Sequence, residues 1–169
     1  GQLEAPSQLT MPNQSAFLAH STSNQNNVSA NTTTAIAFNS ELFDQNADFT
    51  VSTGDGQGGD GSNVKAVFTA PVTGRYQFNA RAYLFQVPND CTYIYLLLKT
   101  SNREYIDIIK GQAFDEEITY LSLNVAVLAD MDASDTAHVE VYQAGGTGTT
   151  DILGNSTHGH TSLSGFLVA

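Results

Sequence analysis

The stretch VFTAPVTGRYQFNARAYLF, residues 67–85, carries the most regular pattern in this chain. Apolar and polar residues alternate on both sides of the turn signal PVTG, residues 71–74. A period of two is typical of a β-strand with one buried and one solvated face. Pro71 cannot donate to a β-ladder, and Gly74 tolerates the positive φ of a tight reversal. The stretch therefore predicts two strands joined as a hairpin.

Short apolar segments of the same kind continue along the rest of the chain, and no amphipathic helix of useful length interrupts them. Strands are predicted within residues 15–22, 35–53, 92–100, 105–109, 118–128, 138–145 and 161–169. Residues 24–34, 54–63 and 145–160 are polar or glycine-rich and are predicted to be surface loops. About eight to ten short strands between polar loops predict an all-β sandwich or jelly roll.

Composition limits the classes of protein and partner. The 169 residues, 41% of them hydrophobic, suffice for one domain with a real core or two very small ones. The net charge of -11 would repel phosphate backbones, so no nucleic acid partner is expected. No apolar run reaches the roughly 20 residues of a membrane helix, so no membrane insertion is expected. The single cysteine, Cys91, excludes a disulfide framework within the chain and is expected to be a small buried hydrophobe.

The segment TYIYLLLKT, residues 92–100, is apolar at both odd and even positions. A strand of this kind is expected to be buried on both faces. In a parallel sheet, helices would cover both faces, but the sequence predicts none. We therefore expect one face of this strand to pack on the core and the other to pack on another subunit.

Two motifs resemble those of C1q-type globular heads. FTAPVTGRYQF, residues 68–78, resembles the F-x-x-P-x-x-G-x-Y-x-F signature of that family, and SGFLV, residues 164–168, is similar to its terminal S-G-F-L-L. Two looser similarities, AIAFN at 35–39 and LLK at 97–99, occur in the order expected for the family. The resemblance covers residues 15–169, within which residues 54–63 look like an insertion.

The resemblance implies a ten-stranded, C1q/TNF-like jelly-roll sandwich that assembles as a homotrimer. It makes residues 15–169 the globular head domain, and residues 1–14 are then a linker or the end of a stalk. In residues 92–98 we expect Ile94, Leu96 and Leu98 to face the core. Tyr93 and Tyr95 would then face the trimer interface, since tyrosine suits a surface that is part dry and part wet. The pattern alone also admits the opposite register.

The two glycine-rich loops are the predicted ligand-binding regions, because loops vary over a rigid scaffold. The candidate residues are Asp55 and Asp60 in the first loop and Thr147 and Asp151 in the second. The first loop also contains a G-x-G-x-x-G sequence, but strand-like residues follow it where a dinucleotide site needs a helix. Asp55 and Asp60 could ligate calcium, although their spacing is not that of an EF-hand and a plain flexible loop is favoured.

His158-Gly159-His160 is the best candidate for a metal site. Two histidines at i and i+2 point the same way on an extended segment. One chain supplies only two of the four to six ligands that a transition metal needs. On a threefold axis three such pairs would supply six imidazoles, as in the H-x-H sites of trimeric phage fibres. The alternative is that both histidines lie on an exposed loop and bind water.

No catalytic motif of a metalloprotease, α/β-hydrolase or P-loop enzyme is present in the sequence. We therefore expect a non-enzymatic trimeric adhesion head that binds a cell-surface glycan or protein receptor, as at the tip of a phage or bacterial fibre. Its location would be extracellular, on a cell surface or a virion. The alternatives are a purely structural trimerisation cap without its own ligand and, less favoured, a jelly-roll glycan hydrolase.

Overall fold

The computed structural model of the chain describes residues 13–56 and 64–169, which form a sandwich of two antiparallel sheets. The strands are β1 (Ala16–His20), β2 (Gln25–Val28), β3 (Thr33–Ala35), β4 (Ser40–Asp44), β5 (Phe49–Thr50), β6 (Val67–Thr69), β7 (Gly74–Val87), β8 (Tyr93–Thr100), β9 (Glu104–Ile109), β10 (Ile118–Met131), β11 (Thr136–Ala144), β12 (Thr150–Ile152) and β13 (Ser162–Leu167). One short 3-10 helix, Gly111–Ala113, is the only helix among these residues. The all-β class is therefore confirmed. The described residues contain thirteen strand segments where ten strands were expected, and several of these segments have only two to four residues.

Each sheet is built around one long strand, β7 in sheet A and β11 in sheet B. In sheet A, β7 pairs with β10 along one edge and with β13 and β12 along the other, and β13 continues to β1 and β4. β2 extends the sheet beyond β12. In sheet B the order is β5-β6-β11-β8-β9, and β3 also pairs with β11. β9 and β10 thus end the two sheets on the same side of the sandwich, where Asn124 N donates to Asp107 Oδ2 at 2.9 Å.

The turn at residues 71–74 does not close a hairpin, so that prediction was wrong. β6 pairs with β5 and β11 in sheet B, whereas β7 pairs only with strands of sheet A. The turn carries the chain from one sheet to the other. Phe68 of β6 meets Tyr76 and Phe78 of β7 across the core, with ring centroids 5.3 Å apart in each pair. Strands that face each other and strands that pair show the same alternation, so the pattern alone could not distinguish them.

The glycine and the tyrosine of the first motif have specific structural roles. Gly74 was expected to have a positive φ, and it does not. Instead a Cβ at this position would lie 2.7 Å from the carbonyl oxygen of Ala169, because the end of the chain passes directly beside it. The hydroxyl of Tyr76 donates to the carbonyl of Val72 at 2.7 Å and so fastens the turn.

Aromatic rings fill the middle of the core between the sheets. Phe17 stacks on Phe49 and Phe68, with centroid distances of 4.6 and 5.1 Å. Gly165 of β13 lies under this group, and a Cβ there would be 2.6 Å from the Phe17 ring and 2.8 Å from that of Phe78. The second motif therefore keeps a glycine where two rings leave no space. Cys91 is fully buried, as expected, and burial raises the pKa of its thiol.

Two of the predicted loops contain strands. The polar tract 24–34 forms β2 and the start of β3, and residues 145–160 include β12. β2 pairs with β12, and β3 pairs with β11. Most polar side chains of β2 and β3 are exposed or half-buried while the backbone completes the sheets. The hydrophobic pattern therefore gives little sign of these strands.

Candidate functional site

Sheet A exposes large apolar side chains on its outer face. On β10, Tyr120 and Leu128 are 58% and 50% exposed, and Phe166 of β13 is 44% exposed. The register places Leu128 and Phe166 on either side of Gln77 in β7. Phe43 of β4, also exposed, extends this apolar surface to the far edge of the sheet. We call this surface the sheet A face.

An aromatic group lies at one end of the sheet A face. The ring of Tyr120 stacks on that of Tyr83 at 5.7 Å and meets that of Phe85 at 5.2 Å. The guanidinium of Arg81 lies 5.6 Å from the Tyr83 ring centroid, and its Nε donates to the Ser122 hydroxyl at 3.2 Å. The sheet A face is therefore apolar at both ends and polar in its middle.

The two histidines of the H-x-H sequence lie beside this aromatic group. The rings of His158 and His160 stack with centroids 5.8 Å apart, and His160 meets the edge of Tyr83 at 5.2 Å. Their segment is not extended as expected, because His160 N donates to the His158 carbonyl at 2.7 Å and closes a turn around Gly159. The rings nevertheless lie together. In the described part of the chain, no group of three or more His, Cys, Asp or Glu side chains could hold a metal ion. This pair supplies only two ligands, so a metal here would need further ligands, and its presence stays a prediction.

The outer face of sheet B is covered mainly by its own side chains. Ile94, Leu96 and Leu98 face the core as expected. Tyr95 stacks on Tyr93 and on Tyr142 of β11, with centroid distances of 6.1 and 5.3 Å. Burial, followed by the neighbouring tyrosines, raises the pKa of Tyr95. That Tyr93 and Tyr95 lie at a trimer interface stays a prediction.

Leu97, an apolar side chain on the outward-facing side of β8, is already shielded from solvent within a single chain. It points to the outer face, between Glu140 and Ile106 on the neighbouring strands, yet only 4% of its surface is exposed. Ile106 and Ile108, on the edge strand β9, remain exposed. The expectation that another subunit must cover this strand therefore loses part of its basis. Of the exposed large apolar side chains in the described strands, five lie on sheet A and two on sheet B.

A charged triad completes the outer face of sheet B. Glu140 Oε1 lies 2.9 Å from His138 Nε2 and 3.1 Å from Lys65 Nζ. The hydrogen bond with His138, followed by the one with Lys65, lowers the pKa of Glu140 to about 2 against the opposing effect of burial. Only 11% of the Glu140 side chain is exposed, and the triad ties Lys65 to the sheet.

The predicted loop residues have different surroundings. Thr147 uses both its amide and its hydroxyl to donate to Asp90 Oδ2, at 2.9 and 2.8 Å. Asp151 Oδ1 accepts from the amide of Asn27 at 2.8 Å. Both residues therefore help to fix the loops in place. Asp55 lines a cavity beside β2. Asp60 lies outside the described residues.

A cavity of about 530 Å³, open to solvent, is bordered by β2 of sheet A and β3 of sheet B. It is lined by residues 23–29, Thr32, Thr34, Ala37, Gly54 and Asp55, and we call it the loop cavity. Sequence reasoning identified Asp55 but none of the residues 23–34, because polar residues in a tract predicted only a surface loop. It also did not single out Tyr83, Tyr120 or Phe166. Each alternates with an inward-facing neighbour, Leu84, Leu121 or Gly165, and this outward parity was the available signal.

Comparison with known proteins identifies the fold. No family model matches the sequence, and no curated protein matches it either. Solved structures do match: the globular domain of zebrafish complement 1qA (19% identity, 92% of this chain and 98% of that chain, TM-score 0.53), murine APRIL at pH 8.0 (13%, 92% and 99%, 0.58) and the Eiger TNF of S. frugiperda (11%, 92% and 93%, 0.53). The chain therefore has the C1q/TNF-like jelly-roll fold that its motifs predicted. At these identities the likeness concerns the fold alone. No helix in the described residues has the length and apolarity needed to cross a bilayer.

Proposed function

We propose that the chain is one subunit of a homotrimeric, non-enzymatic recognition head. The observation that carries this proposal is the sheet A face, which leaves Tyr120, Leu128 and Phe166 exposed on an otherwise well-packed sandwich. An exposed apolar patch, such as the one that Leu128 and Phe166 form on either side of Gln77, marks an interaction site. The C1q/TNF-like fold supports three copies that share such a surface around a threefold axis.

Sheet A is a better candidate for the trimer interface than the tyrosines of sheet B. Tyr93 and Tyr95 already stack on each other, and Tyr95 also stacks on Tyr142, so these rings gain less from further burial. Phe166 and Leu128 have no such cover. Burial of apolar area contributes about 25 cal/mol per Å², so the more exposed side chains have more to gain.

The ligand would be a glycan or a protein on a cell surface, bound by the loops that the trimer presents. Three weak sites on one particle gain affinity through effective concentration. Asp55, Asp60, Thr147 and Asp151 remain our candidates in these loops. Thr147 and Asp151 would act by holding the loops in shape, because their hydrogen bonds are internal. We place the head outside the cell, on a cell surface or a virion, as at the tip of a phage or bacterial fibre.

The first test is the mass of the purified protein in solution by light scattering coupled to size exclusion. We expect three times the mass of the 18.0 kDa chain, unchanged on dilution through the micromolar range. The second is attachment of the labelled trimer to cells and glycan arrays. A measured mass equal to that of one chain would contradict the proposed trimer. An intact trimer that attaches to nothing, and that still supports its parent fibre after both glycine-rich loops are shortened, would favour the structural cap.

A further inference from the structure

We propose that the loop cavity binds a neutral sugar residue through hydrogen bonds from its amide and hydroxyl side chains. This inference deepens the recognition function proposed above and rests on it for its biological role. The cavity volume, about 530 Å³, lies within the range of about 300–1,000 Å³ that is typical of small-molecule sites. One or two sugar rings fit in a space of this size.

The chemistry of the lining selects the class of ligand. Ser, Thr, Asn and Gln supply eight of the eleven side chains in the described wall, and Asp55 is the only ionisable one among these eleven. Amides and hydroxyls both donate and accept hydrogen bonds, which matches a ligand that carries many hydroxyl groups. The carboxylate of Asp55 and the net charge of -11 both disfavour an anion. A neutral sugar fits this wall better than a phosphate or an acidic sugar.

The back of the cavity is held in one shape before any ligand arrives. The side chain of Gln25 donates to the carbonyls of Ala35 and Asp55, at 2.9 and 3.2 Å, and accepts from the amide of Ala37 at 2.8 Å. This one side chain joins β2 to both segments on the other side of the cavity. A site that is fixed in advance loses less conformational entropy when it binds.

The loop backbone is fixed in the same way from the opposite side. Asn27 has a φ of 60°, in the left-handed region that few residues other than glycine adopt. Its amide donates to Asp151, and its side-chain oxygen accepts from the hydroxyl of Thr149 at 3.3 Å. Uncommon backbone conformations held by their surroundings are frequent at ligand sites. The predicted binding residue Asp151 therefore supports the cavity from behind.

Other side chains of the wall remain available. Across residues 13–56 and 64–169, the side chains of Asn26, Ser29, Thr32 and Thr34 form no hydrogen bond within the chain. Asn26, Ser29 and Thr32 are exposed, and Thr34 is half-buried. Ala37, which is half-buried, adds a small apolar patch on which the C–H face of a sugar ring can rest. The fixed back and the unpaired wall together form a site with donors and acceptors ready for a ligand.

The test measures binding of defined sugars to the assembled protein by saturation-transfer NMR and calorimetry. The probes are the methyl glycosides of glucose, galactose, mannose and N-acetylglucosamine, with N-acetylneuraminic acid as the anionic comparison. We expect at least one neutral glycoside to bind with a Kd of about 1 mM, a usual strength for one weak site, and the acid to bind more weakly. Asn26→Ala and Thr34→Val should each weaken binding by about 5–10-fold, the effect of one lost hydrogen bond.

Thr157→Val, an exposed change outside the cavity, is the matched control and should leave the affinity unchanged. Equal unfolding temperatures show that the variants remain folded. If no neutral glycoside binds, or if the cavity variants bind as the parent does, the inference is wrong. A trimer that attaches to cells equally well with and without the cavity variants would reject the cavity and keep the recognition head. Sugar binding by a protein that stays monomeric would support the cavity and reject the trimeric recognition head.

Discussion

The outer faces of the two sheets differ although both sheets follow the same alternating pattern. On sheet B the tyrosines stack on one another, Leu97 is covered, and Glu140 is paired with Lys65 and His138. On sheet A, Leu128 and Phe166 are 50% and 44% exposed, and no described residue covers them fully. Sheet B also leaves Ile106 and Ile108 exposed on its edge strand β9, whereas the exposed apolar side chains of sheet A extend from β10 to β4. Exposed apolar area, rather than apolar sequence, is therefore the basis on which we propose that a partner covers sheet A.

The largest expected effect comes from placing a charge on the sheet A face. Phe166→Asp should convert the trimer into single chains, because each interface would bury a carboxylate without a partner. Light scattering measures the mass. Ile108→Asp, at a comparably exposed site on the edge strand of sheet B, is the control and should leave the trimer intact.

Tyr95→Ala tests the interface that the sequence predicted. If sheet A forms the interface, this change should lower the stability of each chain by about 1 kcal/mol through lost stacking, without changing the mass. Dissociation by Tyr95→Ala together with an intact Phe166→Asp trimer would reverse our assignment of the two faces.

The next effect concerns pH and the triad of sheet B. The pKa of Glu140 is about 2 in the folded chain against an ordinary 4.5, so its ionised form stabilises the fold above pH 4.5. That contribution, at most about 3 kcal/mol, is lost as the pH falls from 4.5 towards 2. Glu140→Gln should therefore lower the free energy of unfolding at pH 6 and change it little near pH 2, as measured by denaturant titration.

Glu104→Gln is the matched control on the same face. Glu104 pairs with Lys99 at 3.0 Å, but both side chains are exposed to solvent. An exposed pair contributes little, so this variant should show a much smaller change at pH 6. Equal losses in the two variants would show that burial of the triad does not set the stability of this face.

The smallest expected effect is on metal content. If the sheet A face surrounds the threefold axis, three His158–His160 pairs come close together, and about one transition-metal ion per trimer should bind. Elemental analysis after exposure to Ni²⁺ or Zn²⁺ should find it, and the double change of both histidines to Ala should remove it. His20→Gln, in β1 of the same sheet, serves as the control. One ion per chain would contradict a site on the axis.

Sequence and structure agree best where a strand has one buried parity. Tyr76, Phe78 and Leu84 in β7, and Ile94, Leu96 and Leu98 in β8, were assigned to the core and are fully buried. The two C1q-type motifs also identified the fold, because each records a tight packing constraint: Tyr76 fastens a turn, and Gly165 makes room for two rings. Such constraints are local, so a short motif preserves them.

The loop cavity could not be predicted in the same way. Asp55 was selected because it lies in a glycine-rich loop, but the cavity also needs β2. β2 forms because residues 25–28, three of them polar, pair with β12 more than 120 positions away. Backbone pairing over that distance leaves no hydrophobic pattern. The residues that shape the cavity were therefore hidden in a tract that reads as a loop.

The sequence by itself determined that this chain is a β-sandwich of C1q/TNF type, because alternating side chains and two packing motifs depend only on near neighbours. The tertiary structure alone decided that β6 and β7 lie in opposite sheets, and that Leu97 is covered while Phe166 is exposed. The physical reason is that alternation specifies which side of a strand is apolar. What lies against that side depends on strand pairings between distant parts of the chain.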